Sequence, residues 1–241
     1  MSAPMLDVSG LNAFYGKAQM LFDVTLQVGP GEVVALMGRN GAGKSTTIKS
    51  IMGMLQHAPG RVHFMGEDIS GRAPFEIARR GLGFVPEDRR VFSELSVMQN
   101  LEVGRRPPRN GLPPWTPDRL FALFPNLGEM PDRPGGSMSG GEQQMLTVAR
   151  TLMGNPLLLM LDEPSEGVAP VIVEQMAQMI LQLKQQGLAI LLSEQNLHFA
   201  RLVCDRAYVL EQGQIRFSGS MQDLAANEEV QQAYLSLSMS W

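Results

Sequence analysis

"EVVALMGRNGAGKST", Glu32 to Thr46, is the stretch on which the reading of this chain turns. Its apolar run has the length of a buried strand and delivers the backbone directly into a glycine-rich turn. Beyond the turn, Ile48, Ile51, Met52 and Leu55 recur at i, i+3, i+4 and i+7, the spacing of one helix face. The unit is therefore strand, loop, helix. Within it Gly38, Gly43, Lys44 and Ser45 satisfy G-x-x-x-x-G-K-[ST] in the context that this motif requires. The loop residues Gly38, Arg39, Asn40, Gly41, Ala42, Gly43, Lys44, Ser45 and Thr46 can turn successive N–H groups toward phosphate oxygens. Lys44 then reaches the outer phosphates, and the Ser45 hydroxyl ligates magnesium.

Working outward, the chain of 241 residues has the composition of an ordinary globular protein, with a net charge of -4 that argues against bulk attraction to nucleic acid. The single cysteine, Cys204, excludes an internal disulfide framework and suits a reducing compartment. No apolar run approaches the length of a bilayer span, and "MSAPMLDVSG" carries neither part of an export signal. Any membrane role is expected to come through a partner. Upstream of the loop, alternation between Leu6 and Val28 predicts short strands and a small N-terminal sheet. Downstream, "RVHFMGEDI" and "GLGFVPE" read as further strands. From Asp88 the character changes: prolines at 107, 108, 113, 114, 117, 125, 131 and 134 punctuate short helical stretches. Residues 88–138 are therefore expected to form an inserted helical subdomain within one domain spanning 1–241. After it the strand–helix rhythm resumes. Met145, Val148, Ala149 and Leu152 share a helix face that ends at "GNP", 154–156, where Gly154 is expected to supply the end and Pro156 the stop; "LLLMLDEP" is a buried strand; Pro170 opens a helix; "LAILLS" is another strand; "AYVLEQGQIRFSG" is a hairpin. The fold class is α/β, a mostly parallel sheet covered on both faces.

Asp162 and Glu163 stand where the strand "LLLMLD" ends, the position at which open parallel sheets hold ligands. Asp162 is placed to hold magnesium and Glu163 to orient or deprotonate an attacking water. A second glycine turn, "MSGGEQQM" (Met138 to Met145), poses a different question. Ser139 and Glu142 form the S-x-x-E pattern of a capping box, which explains a helix start. It does not explain Gly140 and Gly141, which leave amide groups bare, as at an anion site. The chain already has its phosphate loop, so this turn is free to face the triphosphate of another subunit.

In this order and spacing, "GRNGAGKST", "MSGGEQQ" and "LLLMLDEP" resemble the nucleotide-binding subunits of ATP-binding cassette (ABC) transporters, over nearly the whole chain. The resemblance implies a P-loop ATPase core with a small antiparallel N-terminal subdomain and an inserted helical subdomain. It implies ATP and Mg2+ as cofactors, and two cassettes clamping two ATP molecules head to tail, with Ser139, Gly140 and Gly141 serving the opposite site. Carried over by position, Tyr15 corresponds to the aromatic that stacks on adenine, Glu87 to a glutamine near the magnesium, and Gln195 to the switch histidine that meets the γ-phosphate. Val168 stands where the family usually has an aspartate. Gln195 hydrogen-bonds but cannot become cationic near neutrality as histidine does. "VPEDRRVFSELSV", "DEPSEGVAP", "SEQN" and the closing "LAANEEVQQAYLSLS" are similar to the branch serving branched-chain amino acid uptake, the LivF type. That branch implies a LivG-like partner cassette (or a homodimer in isolation), two transmembrane permease subunits, a periplasmic binding protein, and a peripheral place on the cytoplasmic face of the inner membrane. Alternatives are an importer ATPase for urea, amides or aromatic compounds, or a soluble non-transport cassette. Arginines 79, 80, 89, 90, 105, 106 and 109, interspersed with Glu76, Glu87, Asp88, Glu94 and Glu102, are expected to form a mixed-charge face or a permease dock. His57, His63 and His198 lack metal-ligand spacing.

Overall fold

The computed structural model describes residues 3–55, 57, 58, 60–109 and 113–235; the His57 side chain and the final serines of "LAANEEVQQAYLSLS" lie outside the described residues. The chain opens with a hairpin, β1 (Leu6–Tyr15) and β2 (Ala18–Val28), then runs through β3 (Val33–Met37) into the glycine loop and α1 (Lys44–Ile51). Three short strands, β4 (His57–Ala58), β5 (Arg61–Phe64) and β6 (Glu67–Asp68), lead to α2 (Pro74–Arg80) and β7 (Leu82–Val85). A helical stretch follows: α3 (Val97–Gly104), α4 (Pro117–Leu123), α5 (Pro125–Gly128) and α6 (Gly140–Leu152). Then come β8 (Leu158–Asp162), α7 (Pro170–Gln185), β9 (Ala189–Glu194), α8 (Leu197–Val203), the hairpin β10 (Arg206–Glu211) with β11 (Gln214–Ser220), and the closing α9 (Met221–Ala226) and α10 (Glu228–Val230).

Two sheets result. The first is antiparallel, in the order β2-β1-β5-β6 with β4 also on β1; its leading strands are longer than the alternation suggested because pairing continues through three register shifts. The second has the order β11-β10-β3-β9-β8-β7 and is parallel except for the β10–β11 hairpin. Side chains of its central strands alternate between two cores, as a period of two demands. Ala35, Leu159, Leu161, Ile190 and Leu192 face α6, α7 and α8, whereas Leu36, Leu158, Met160 and Leu191 face α1 and the antiparallel sheet. Each such leucine, isoleucine or methionine contributes roughly 1.5–3 kcal/mol of burial. Because β7, β8, β9 and β3 run in one direction, their carboxyl ends share one edge. Glu87, Asp162, Glu194 and the glycine loop all lie at or just past that edge.

Two local expectations are corrected. α1 stops at Ile51, and Leu55 lies outside it, because the turn at Met52–Gly53 closes through N–H groups of Met52 and Gly53 onto Ile48 and Ser50. At "GNP" the left-handed residue is Asn155, φ 50°, rather than Gly154. The choice of asparagine has a reason in the helical stretch. Its Oδ1 accepts from the Trp115 amide (2.8 Å), its Nδ2 donates to the Arg106 carbonyl (2.8 Å), and its own carbonyl accepts from Arg109 Nε (2.7 Å). Asn155 thus ties both arms of the segment between α3 and α4 to the turn before β8. The helices α3 and α5 pack on α6, and Leu101, Leu120 and Leu127 join the core on that side of the sheet.

Replacing this residue tests the tie. Asn155→Ala strands the buried Trp115 amide and the part-buried Arg106 carbonyl and leaves a positive φ to a residue that tolerates it less well than asparagine, so it should cost roughly 2–4 kcal/mol in urea unfolding. Asn155→Gly should recover about 1 kcal/mol of that by relieving the backbone alone.

Candidate functional site

The glycine loop folds tightly enough to admit nothing larger at its first position. Gly38 has φ 154°, and a Cβ there would sit 2.4 Å from the Leu210 carbonyl oxygen. Lys44, the first residue of α1, curls back across the loop. Its Nζ donates to the carbonyls of Gly38 (2.8 Å) and Arg39 (3.1 Å) and forms an ion pair with Glu163 Oε1 at 3.0 Å. All three ammonium N–H groups are used. Lys44 is 3% exposed and Glu163 6%, so the pair is essentially out of water.

The strand β8 places two carboxylates in succession, and the structure gives them unlike surroundings. Asp162 Oδ1 accepts from Ser45 Oγ (3.0 Å) and Ser193 Oγ (2.9 Å). Its Oδ2 is buried with no hydrogen-bond partner. Burial pushes the Asp162 carboxyl above the usual aspartate range, against the two serine hydroxyls that favour its ionised form. An orphaned carboxylate oxygen beside a serine hydroxyl, both hard donors, fits a magnesium ion. Glu163 takes φ 47°, a conformation costing of order 1–3 kcal/mol outside glycine. Its amide is held by the Ser193 carbonyl (3.0 Å), and its own carbonyl accepts from Glu166 N–H (3.1 Å) in a turn with Pro164 second. Glu163 Oε2 accepts from Gln195 Nε2 at 3.3 Å.

Asn40, Lys44, Ser45, Glu87 and Glu163 line one cleft of about 290 Å3. Clefts of about 520 Å3 beside Met65 and about 770 Å3 beside Arg106 are larger, but neither is lined by a buried carboxylate. Gln195 reaches Glu163 from the neighbouring β9 end. Tyr15 closes β1 and is 47% exposed, outside the lining of the cleft. Ser139, Gly140 and Gly141 are also outside it.

The Ser139 turn is built as the capping box requires. Glu142 Oε2 accepts from the Ser139 amide (2.7 Å), and Ser139 Oγ accepts from the Glu142 amide (3.4 Å). Gly141 also has a packing reason, since a Cβ there would lie 2.7 Å from Ile172 Cγ1 of α7. Around the arginine-rich stretch, Arg80 pairs with Glu67, Arg90 with Asp88 and Arg105 with Glu102. His63 lies in β5 and His198 in α8, and no metal-holding group of three or more histidine, cysteine or acidic residues occurs among the described residues.

Sequence reasoning missed Glu166 and Glu194. Glu166 also lines the cleft. It lies against Glu163, and the hydrogen bond between the two carboxyls pushes its pKa up to about 7. A third acid in "DEPSEG" was the available signal, but spacing alone does not show which acids meet. Glu194 is 1% exposed at the end of β9.

Residues 21–166 match the ABC transporter family model. The chain is 43% identical, over 96% of its length and 99% of the relative's, to the high-affinity branched-chain amino acid transport ATP-binding protein BraG of Pseudomonas aeruginosa. It is 34% identical to the lipopolysaccharide export ATP-binding protein LptB of Haemophilus influenzae (96% and 97% covered) and to a probable LivF of Archaeoglobus fulgidus (93% and 96%). A crystal structure of an ATP-binding cassette in its ADP conformation superposes with a TM-score of 0.81 at 28% identity, covering 96% of this chain and 98% of the other.

The Glu166 carboxyl gives a pH prediction. The folded chain keeps on Glu166 a proton that the unfolded chain releases near 4.5, so this contribution to stability is lost as pH rises from 4.5 to about 7. Solvent around this exposed group moderates the effect. The melting temperature of the parent should fall more across that window than that of Glu166→Gln; parallel curves by circular dichroism would contradict the shared proton.

Proposed function

Because the chain belongs to the ABC transporter family, we propose that it is the ATP-hydrolysing subunit of an importer for branched-chain or related hydrophobic amino acids. The observation that carries the catalytic reading is the buried meeting of Lys44, Glu163 and Gln195 above Asp162 and Ser45, at the shared edge of the parallel strands. The loop from Gly38 to Thr46 would hold the nucleotide phosphates. Ser45 and Asp162, with Glu87 on the same cleft, would hold Mg2+, which neutralises charge on the transferring phosphoryl group. Glu163 orients and deprotonates the attacking water; Gln195 steadies Glu163 and meets the γ-phosphate. Tyr15 would stack on adenine. The similarity to BraG and LivF, both described as branched-chain amino acid transport ATP-binding proteins, supports this cargo, with the lower identity to LptB behind it.

The assembly proposed is a pair of cassettes, this chain with a LivG-like partner, on two permease subunits at the cytoplasmic face of the inner membrane, supplied by a periplasmic binding protein. No helix among the described residues is long and apolar enough to cross a membrane. A groove of about 670 Å3 between the sheet core and the segment 88–138, proposed as the inserted subdomain, supports the contact with membrane subunits. Phe75 is 59% exposed there, Phe92 and Val103 stand beside it, and Arg79 and Arg150 lie over the two rings at 5.2 and 4.9 Å. An exposed aromatic floor with a basic rim suits a protein surface.

Glu163→Gln should bind ATP yet turn it over about 100-fold or more slowly, accumulating as an ATP-bound pair of cassettes; rapid turnover would remove Glu163 from the role of base. Phe75→Glu with Phe92→Glu should release the permease subunits on co-purification while leaving nucleotide affinity of the free chain unchanged. Retention of the permeases would move the docking site elsewhere.

A further inference from the structure

Glu194 is the last residue of β9, paired with Met37 of β3, and sits beside Gln195 without touching the cleft. A carboxylate this far from water is costly unless hydrogen bonds compensate it. Here each oxygen has a separate task. Oε1 accepts from the Ser165 amide at 3.1 Å, and Oε2 accepts from the Asn196 amide at 3.2 Å. Ser165 is the third residue of the turn Glu163–Glu166, whose closing hydrogen bond leaves that amide without a place in the turn itself. Asn196 is the N-cap of α8, its Oδ1 accepting from the Phe199 amide at 3.1 Å. Gln195 lies between the two anchored positions 194 and 196.

We infer that Glu194 is a positioning residue whose two oxygens clip the turn carrying Glu163 to the first turn of α8, and so set the contact between Glu163 and Gln195. Two features give the clip something to hold. Glu163 is kept at φ 47°, a conformation that persists only when its surroundings over-determine it. The Gln195–Glu163 hydrogen bond, at 3.3 Å, is long enough that a small displacement of either turn breaks it. A plain buried acid in a helix cap would need only the Asn196 contact. The second oxygen, on the far turn, turns a cap into a link between the two loops that bear the proposed base and its partner.

The inference rests on the reading of Glu163 as the base, and the test keeps the two apart. Glu194→Gln is isosteric, retains one acceptor and turns an NH2 group toward the other amide; Glu194→Ala loses both. Turnover of ATP should fall about tenfold in the glutamine variant and about 100-fold in the alanine variant, while the affinity for ADP stays within about threefold of the parent. Hydrogen exchange at the Ser165 and Asn196 amides should quicken in both variants without nucleotide, a readout independent of activity. Turnover within about threefold of the parent, a loss matched by loss of ADP affinity, or unchanged exchange at the two amides would overturn the proposal. A Glu163→Gln control that keeps turning ATP over sinks the reading of Glu163; a dead control beside an unaffected Glu194→Gln sinks only the clip.

Discussion

The ion pair between Lys44 and Glu163 is the constraint around which the site is arranged. Removing both groups from water costs several kcal/mol each, and a 3.0 Å contact offsets that only with further hydrogen bonds on both sides. Those bonds are present: two loop carbonyls accept from Lys44, and Gln195 donates to Glu163. Removing either partner alone leaves a buried charge without a counter-ion, typically about 3–5 kcal/mol in such cases. A phosphate entering the loop therefore meets a lysine whose donors are already engaged. It must compete with Glu163 for Lys44, and success would free the Glu163 carboxylate within the same cleft.

That competition is possible only because four parallel strands end at one edge. β3 delivers the loop, β8 delivers Asp162 and Glu163, β9 delivers Glu194 and Gln195, and β7 leads to Glu87. Their alternating side chains fill two cores, so the register of each strand is fixed by burial and the end of each strand is fixed in turn. Ser193 shows the coupling directly. It pairs with Asp162 across β8–β9, its hydroxyl donates to Asp162 Oδ1, and its carbonyl holds the strained Glu163 amide. A one-residue slip would lose all three contacts.

The parts of this arrangement with a repeating or local pattern were legible in the sequence. Continuous apolar runs gave β3, β8 and β9; the S-x-x-E pattern gave the start of α6 at Ser139; Pro170 gave the start of α7. What escaped depends on contacts between distant turns. Glu194 reads as one more polar residue after a strand, and only the approach of Ser165 shows why a carboxylate is needed there. Asn155 lost to Gly154 in the sequence reading because glycine is the commoner left-handed residue, whereas the deciding factor was hydrogen bonding to Trp115 and Arg106. Leu55 kept helical spacing after the helix had ended, since periodicity carries no signal for where the backbone turns away.

The two glycine turns then differ in what each lacks. The loop at Lys44 has the proposed base Glu163, the Ser45 hydroxyl and the lysine together in one cleft. The turn at Ser139 has none of these, but its capping box satisfies the amides of Ser139 and Glu142 and leaves those of Gly140 and Gly141 with no hydrogen-bond partner among the described residues. Bare amides at a helix start attract an anion. Within one chain Ser139, Gly140 and Gly141 lie outside the cleft lined by Lys44. The proposed head-to-tail pair satisfies both turns at once: each chain offers a complete loop and an unmet helix start, and a partner supplies the missing phosphate to one and the missing amides to the other.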